Sequence, residues 1–176
     1  MKKILKFTIL IPSTVKILLQ DKVIYFKGPH GTTSLNLLDN IFIYKKNQLI
    51  HIIYSNTKNK NLISLLIKLI SNKIYGVSKG FFSQLECNGL GYKAKIENRN
   101  TLVLKLGFSH KLKIKIPNNI KIFCSKSNKI IFFSVEKDKL FEFIIKVKNL
   151  KKPDSYKGKG LIFKNENLKL KEGKKL

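Results

Sequence analysis

The sequence has no tryptophan, two cysteines, four prolines and only ten acidic residues in 176, and one of its 36 basic residues, Arg99, is the sole arginine. Each scarcity excludes something. The carboxylates, among them Asp21, Glu86, Glu97, Glu136, Asp138 and Glu142, are scattered with no spacing that pairs a general acid with a general base. Cys87 and Cys124 form no Cys-x-x-Cys pair and sit in apolar runs, which argues against a zinc ribbon or disulfide framework and for buried free thiols. His30, His51 and His110 stand at no metal-ligand spacing, so no metal and no cofactor are expected. Gly158-Lys159-Gly160 lacks the glycine-rich lead and the hydroxyl residue after lysine that a nucleotide-cradling P-loop requires. No apolar run approaches the roughly 18 residues of a membrane span. At the start, Lys6 breaks the apolar stretch and Pro12-Ser13-Thr14 offers no small-residue cleavage site, so no signal peptide is read; the segment also lacks the arginines of an imported presequence. The expectation is a protein that is no enzyme and has no small-molecule substrate.

What is present is lysine, at a net charge of +26, alongside 43% hydrophobic residues, enough for a real core. Such self-repulsion opposes a compact state unless an acidic partner neutralises it. Nucleic acid is the first such partner. The alternative is a basic membrane-surface-binding protein, for which the lysine-flanked apolar helix around Leu62 to Ile70 is the supporting feature. The excess of lysine, asparagine, isoleucine and phenylalanine, all with A/T-rich codons, reads as an A/T-rich genome. That places the protein in a mitochondrion, in the matrix, with a plastid or the bacterial cytoplasm as alternatives.

The chain repeats a pattern. Ile11-Pro12-Ser13-Thr14-Val15-Lys16-Ile17 with Lys22-Val23-Ile24-Tyr25-Phe26 returns as Ile116-Pro117-Asn118-Asn119-Ile120-Lys121-Ile122 with Lys129-Ile130-Ile131-Phe132-Phe133. In both, a proline opens a short alternating strand and a polar turn leads into a second, β-branched and aromatic one. Further alternating runs fall near 31–36, 40–45, 48–54, 81–87, 91–97, 101–106 and 111–116, separated by turn chemistry at Gly28-Pro29-His30-Gly31, Asn88-Gly89, Asn98-Arg99-Asn100 and Gly107-Phe108-Ser109-His110. Helical periodicity predicts one helix over about 58–74, with Leu62, Leu65, Leu66, Leu69 and Ile70 on its apolar face. A second is predicted over about 137–149, with Leu140, Phe141, Ile144, Ile145 and Lys148 on one face. The fold class is α+β: two tandem duplicated domains, each a small antiparallel sheet packed by one helix, with a basic C-terminal tail. The boundaries are read at 1–76, 77–150 and 151–176, with Gly76-Val77-Ser78-Lys79-Gly80 as a linker. The tail, ending Lys169-Leu170-Lys171-Glu172-Gly173-Lys174-Lys175-Leu176, is too basic to fold alone.

The segment Lys151-Lys152-Pro153-Asp154-Ser155-Tyr156-Lys157-Gly158-Lys159-Gly160 packs cations, glycines and a ring into one loop. Glycines let a backbone approach phosphate closely, lysines supply mobile charge, and a tyrosine ring can stack on a base. A solvated basic turn has the same composition. Two more segments combine these elements, Asn88-Gly89-Leu90-Gly91-Tyr92-Lys93 and Gly107-Phe108-Ser109-His110-Lys111. Each alone reads equally as a bulge or hairpin turn, and together they suggest one RNA-facing surface.

These residues resemble the L6 family of large-subunit ribosomal proteins (uL6, bacterial type). The resemblance spans nearly the whole chain and is carried by Gly76-Val77-Ser78-Lys79-Gly80-Phe81, Gly89-Leu90-Gly91-Tyr92-Lys93-Ala94, Leu104-Lys105-Leu106-Gly107-Phe108-Ser109-His110 and Lys152-Pro153-Asp154-Ser155-Tyr156-Lys157-Gly158-Lys159-Gly160. It implies two duplicated α+β domains, neighbouring ribosomal proteins as partners, and binding to large-subunit rRNA near the stalk base and the sarcin-ricin region. Carried over by position, the implied rRNA-binding residues are Gly91, Tyr92, Lys93, Ser109, His110, Lys111, Lys151, Lys152, Tyr156, Lys157, Gly158, Lys159 and Gly160. The chain departs from the family where Lys151 and Lys152 replace arginines and Ser155 replaces a second proline, which removes bidentate phosphate contacts. The helix from Lys58 to Lys73 also lacks the family's glycine-threonine start and its arginine, so its residues stay outside the expected site.

Overall fold

The computed structural model describes residues 5–37, 41–54, 60–98, 100–125 and 128–172. In chain order these form β1 (Leu5–Leu10), β2 (Lys16–Gln20), β3 (Val23–Gly28), β4 (Gly31–Asn36), β5 (Ile41–Lys46), β6 (Leu49–Tyr54) and α1 (Lys60–Ser78). Then follow β7 (Phe81–Asn88), β8 (Lys93–Glu97), β9 (Thr101–Lys105), β10 (Leu112–Lys115), β11 (Ile120–Cys124), β12 (Lys129–Ser134), α2 (Lys137–Asn149) and β13 (Gly160–Phe163). The chain is α+β and divides into two compact units, Met1–Phe81 with Val135–Lys137 and Phe82–Ser134 with Asp138–Leu176.

The first unit holds the sheets β1-β6-β5 and β2-β3-β4; the second holds β11-β12-β7-β13 and β10-β9-β8. Counting strands in order, β1 to β6 correspond one by one to β7 to β12, and each set is followed by a helix. The turns carry the same duplication. Asp21 (φ 49°) and Asn98 (φ 49°) occupy the β2-β3 and β8-β9 turns, and Asn47 (φ 53°) and Asn128 (φ 56°) the β5-β6 and β11-β12 turns. Asn and Asp tolerate this left-handed region because their short polar side chains bond locally. The backbone repeats too: Leu37 N–H donates to Lys22 O at 2.7 Å and Ile116 N–H to Asn100 O at 2.7 Å, each fastening a strand end to the preceding hairpin turn.

This equivalence corrects the repeat read from the sequence. The segments starting at Ile11-Pro12 and Ile116-Pro117 build β2-β3 and β11-β12, which are not counterparts; the counterpart of β2-β3 is β8-β9. The match arises because both prolines stand where the chain leaves one sheet for another. Val15 N–H donates to Pro12 O and Ile120 N–H to Pro117 O, both at 3.0 Å, so one turn chemistry recurs at two different crossings.

In the first unit, the core joins Ile17, Ile24 and Phe26 from one sheet and Ile50 and Ile52 from the other to Leu66, Ile70, Ile74 and Val77 of α1. The buried row of α1 is Ile63, Leu66, Ile70, Ile74 and Val77, while Leu62 and Leu65, expected on the apolar face, are exposed. α1 also runs into the expected linker, ending at Ser78. Gly76 lies inside the helix, where a Cβ would collide with the carbonyl of Val135, and the helix ends two residues before Gly80, whose φ of 77° supplies the left-handed cap. In the second unit, α2 spans the expected 137–149 but buries Leu140, Phe143, Ile144 and Val147 rather than Phe141 and Ile145. Sequence periodicity also missed β1 and β13. β13 adds to the edge of β7 with Leu161 opposite Cys87, and Leu161 is fully buried. Residues 160–163 of the chain after residue 150 are therefore part of the second unit's sheet. Lys58, Arg99 and the last residues of the basic tail, 173–176, lie outside the described residues.

Candidate nucleic-acid interface

The segment between α2 and β13 closes on itself. Leu161 N–H donates to Lys151 O at 3.0 Å, Asp154 N–H to Lys159 O at 3.0 Å, and Gly158 N–H to Asp154 O at 2.9 Å. The Asp154 carboxylate accepts the Tyr156 N–H at 3.0 Å, an Asx turn that ties the acidic side chain to the loop's own backbone. Gly158 takes a φ of 64°, and at Gly160 a Cβ would stand 2.6 Å from Pro153 Cα, so these two positions permit the closure. Lys152, Lys157 and Lys159 are exposed on the outside, as is Tyr156 at 59%.

Both ends of this loop are anchored. Lys148 of α2 donates to both Glu166 carboxylate oxygens, at 2.7 and 2.6 Å, and its ammonium lies 4.8 Å from the Phe163 ring centre. Glu166 also accepts the Phe163 N–H at 3.2 Å. The hydrogen bond from Lys148 holds the Glu166 carboxyl below its ordinary range, against a smaller opposing effect of burial. Lys148 is thus committed to the scaffold, whereas Lys152, Lys157 and Lys159 of the loop are exposed.

The three glycine-bearing segments meet. Tyr92 is buried, and its ring carbons would lie 2.8 to 2.9 Å from a Cβ on Gly89 and 3.1 Å from one on Gly107, so two bare glycines press on one ring. Lys151 crosses to the second segment, its ammonium 4.8 Å above the Phe108 ring, and Phe108 stacks loosely on His110 at 6.3 Å. A cleft of about 550 Å³ lies between the first and third segments, lined by Asn88, Gly89, Leu90, Lys157, Gly158, Lys159, Leu168 and Leu170.

Of the expected site residues, Gly91, Lys93, Ser109, His110, Lys111, Lys152, Tyr156, Lys157 and Lys159 are exposed, and Lys151 and Gly158 are half-buried. Tyr92 and Gly160 are buried. A Tyr92 ring enclosed by Gly89 and Gly107 has no free face for a base, and what it supplies is the placement of both loops. The sequence reading left out Leu90, 93% exposed between two glycines at the mouth of the cleft, and Phe108, the platform for Lys151. An apolar side chain flanked by glycines is the signal that could have found Leu90.

The sequence model of ribosomal protein L6 matches residues 88–163, from the first of these loops to the end of β13. The chain is 38% identical to the large ribosomal subunit protein uL6m of Reclinomonas americana, over 94% of each chain. The chain belongs to the L6 family of ribosomal proteins. It is also 37% identical to the uL6 protein of Karelsulcia muelleri, covering 99% of this chain and 98% of that one, and 32% identical to the uL6 protein of Nostoc punctiforme, covering 99% and 96%. Membership in L6 makes the chain a structural, non-enzymatic ribosomal component. Among the described residues no helix is long and apolar enough to cross a membrane. The α1 stretch that suggested a membrane surface puts Ile63, Leu66 and Ile70 into the interior instead.

Proposed function

We propose that this L6 chain binds large-subunit rRNA through the surface formed by loops 88–93, 107–111 and 151–160, near the stalk base and the sarcin-ricin region, beside neighbouring ribosomal proteins. The observation that carries the reading is the self-closed 151–160 loop, whose one carboxylate, on exposed Asp154, is engaged by the loop's own Tyr156 N–H while Lys152, Lys157 and Lys159 stand exposed around it. Rigid loops of this kind recognise the shape and phosphates of folded RNA more than its base edges. Gly91, whose Cβ position meets nothing within 4 Å, Lys93, Ser109, His110 and Lys111 extend the surface from its other two loops. Tyr92 and Gly160 serve it by fixing loop geometry. The compartment we propose is the mitochondrial matrix, on the name uL6m of the Reclinomonas relative and the A/T-driven composition.

Replacing Lys157 and Lys159 together with alanine should weaken binding to a cognate rRNA fragment and flatten its salt dependence, by roughly 0.7 to 0.9 in the logarithmic slope for each phosphate no longer neutralised. Filter binding across a salt series measures it. An unchanged slope would remove the loop from the interface.

A further inference from the structure

The sheet β1-β6-β5 of the first unit has one face in the core and one in solvent. Ile50 and Ile52 are buried, with Ile41 and Ile43 packed beside them, so the residues between these point the other way. Cross-strand register arranges that outer face in rows, Phe42 opposite Ile53, Tyr44 opposite His51 opposite Thr8, and Lys46 opposite Leu49 opposite Leu10. Phe42 is 68% exposed and Tyr44 44%, and the Tyr44 and His51 rings are already stacked, 4.8 Å apart and 15° from parallel.

A soluble sheet face ordinarily alternates to polar residues here. This one carries rings, and its rows contain no acidic residue. We propose that this face is a second RNA-contact surface, which stacks unpaired bases on Phe42 and on the Tyr44–His51 pair. Every base presents a π face, and rings on an open sheet stack bases without hydrogen-bond readout. Phe42 and Tyr44 are two residues apart along one strand, about 7 Å at the strand rise, room for one base plane on each. Lys46 stands on the same face, and a polyanion complements a chain of net charge +26. The surface belongs to the first unit and is separate from the loop interface proposed above.

The full chain can be titrated into a fluorescein-labelled oligoadenylate of about 12 nucleotides, within the span single-stranded RNA readers cover. Phe42→Leu and Tyr44→Leu keep an exposed apolar side chain and remove the ring; each should lower affinity about tenfold, with thermal melts unchanged. Tyr44→Phe keeps the ring and should bind like the parent. The same loss should persist in a Lys157→Ala/Lys159→Ala background, which separates this surface from the loop. A 5-bromouridine probe should crosslink to β5 or β6. Leucine variants that bind as tightly as the parent, or crosslinks confined to residues 88–160, would overturn the proposal and leave the face as a protein-docking patch.

Discussion

The ring of Tyr92 occupies the space that a side chain on Gly89 would need: a Cβ there would lie 2.8 Å from the ring edge. Gly107 faces the same ring from another loop, at 3.1 Å. Two loops of the candidate interface are therefore held by one buried aromatic. Gly89→Ala should force the ring aside and destabilise the protein by about 1–3 kcal/mol, the usual cost of overpacking. Tyr92→Phe keeps the packing and should change stability by less than about 1.5 kcal/mol while leaving rRNA affinity intact. Thermal melts paired with binding of an rRNA fragment test this. A Tyr92→Phe variant that folds normally but loses binding would mean that the hydroxyl itself touches RNA.

Lys148 and Glu166 tie α2 to the turn after β13. Because the Glu166 carboxyl is held below its unfolded value near 4.5, its contribution to stability is complete above that value and disappears as pH falls through the folded one. Glu166→Gln should cost about 1 kcal/mol at neutral pH, as expected of a partly exposed pair. Melting curves of parent and variant should then converge as the pH is lowered below the ordinary carboxylate range and through the depressed Glu166 value. Parallel curves over the whole range would show that the pair contributes nothing to folding.

Burial, with a smaller contribution from the neighbouring Cys124 charge, pushes the Cys87 thiol up to about 11. The folded state keeps its proton at a pH where the unfolded chain has lost it. Stability is thus unaffected below the ordinary thiol range, near 9, and declines as pH rises toward 11. Cys87→Ala should flatten that alkaline decline. Alkylation followed by peptide mapping should find half-buried Cys124 modified before Cys87. Equal rates at both thiols would contradict the burial.

Much of the fold was legible because strand alternation and turn chemistry are local. The runs near 31–36, 48–54 and 101–106 became β4, β6 and β9, and α2 kept its expected ends. What failed depends on distant partners. β13 is only four residues, and Leu161 is recognisable as core only once β7 stands beside it. Leucine at 62 and 65 suggested an apolar face on α1, but Ile63, Ile74 and Val77 fixed which side turned inward. For the candidate interface, glycines and lysines are what pointed to the three loops. The sequence could not tell that Tyr92 is enclosed while Tyr156 is exposed, since both sit in glycine-lysine contexts.

Among the described residues β13 has no counterpart in the first unit, whose duplicated strands end at β6. The loop it closes therefore cannot take shape when its lysines are made. Its closing bond, Leu161 N–H to Lys151 O, and the pairing of Leu161 and Phe163 with β7 both need residues that follow the lysines in the chain. Until those pairs form, the segment has the charge for the RNA contact proposed above without its closed contour.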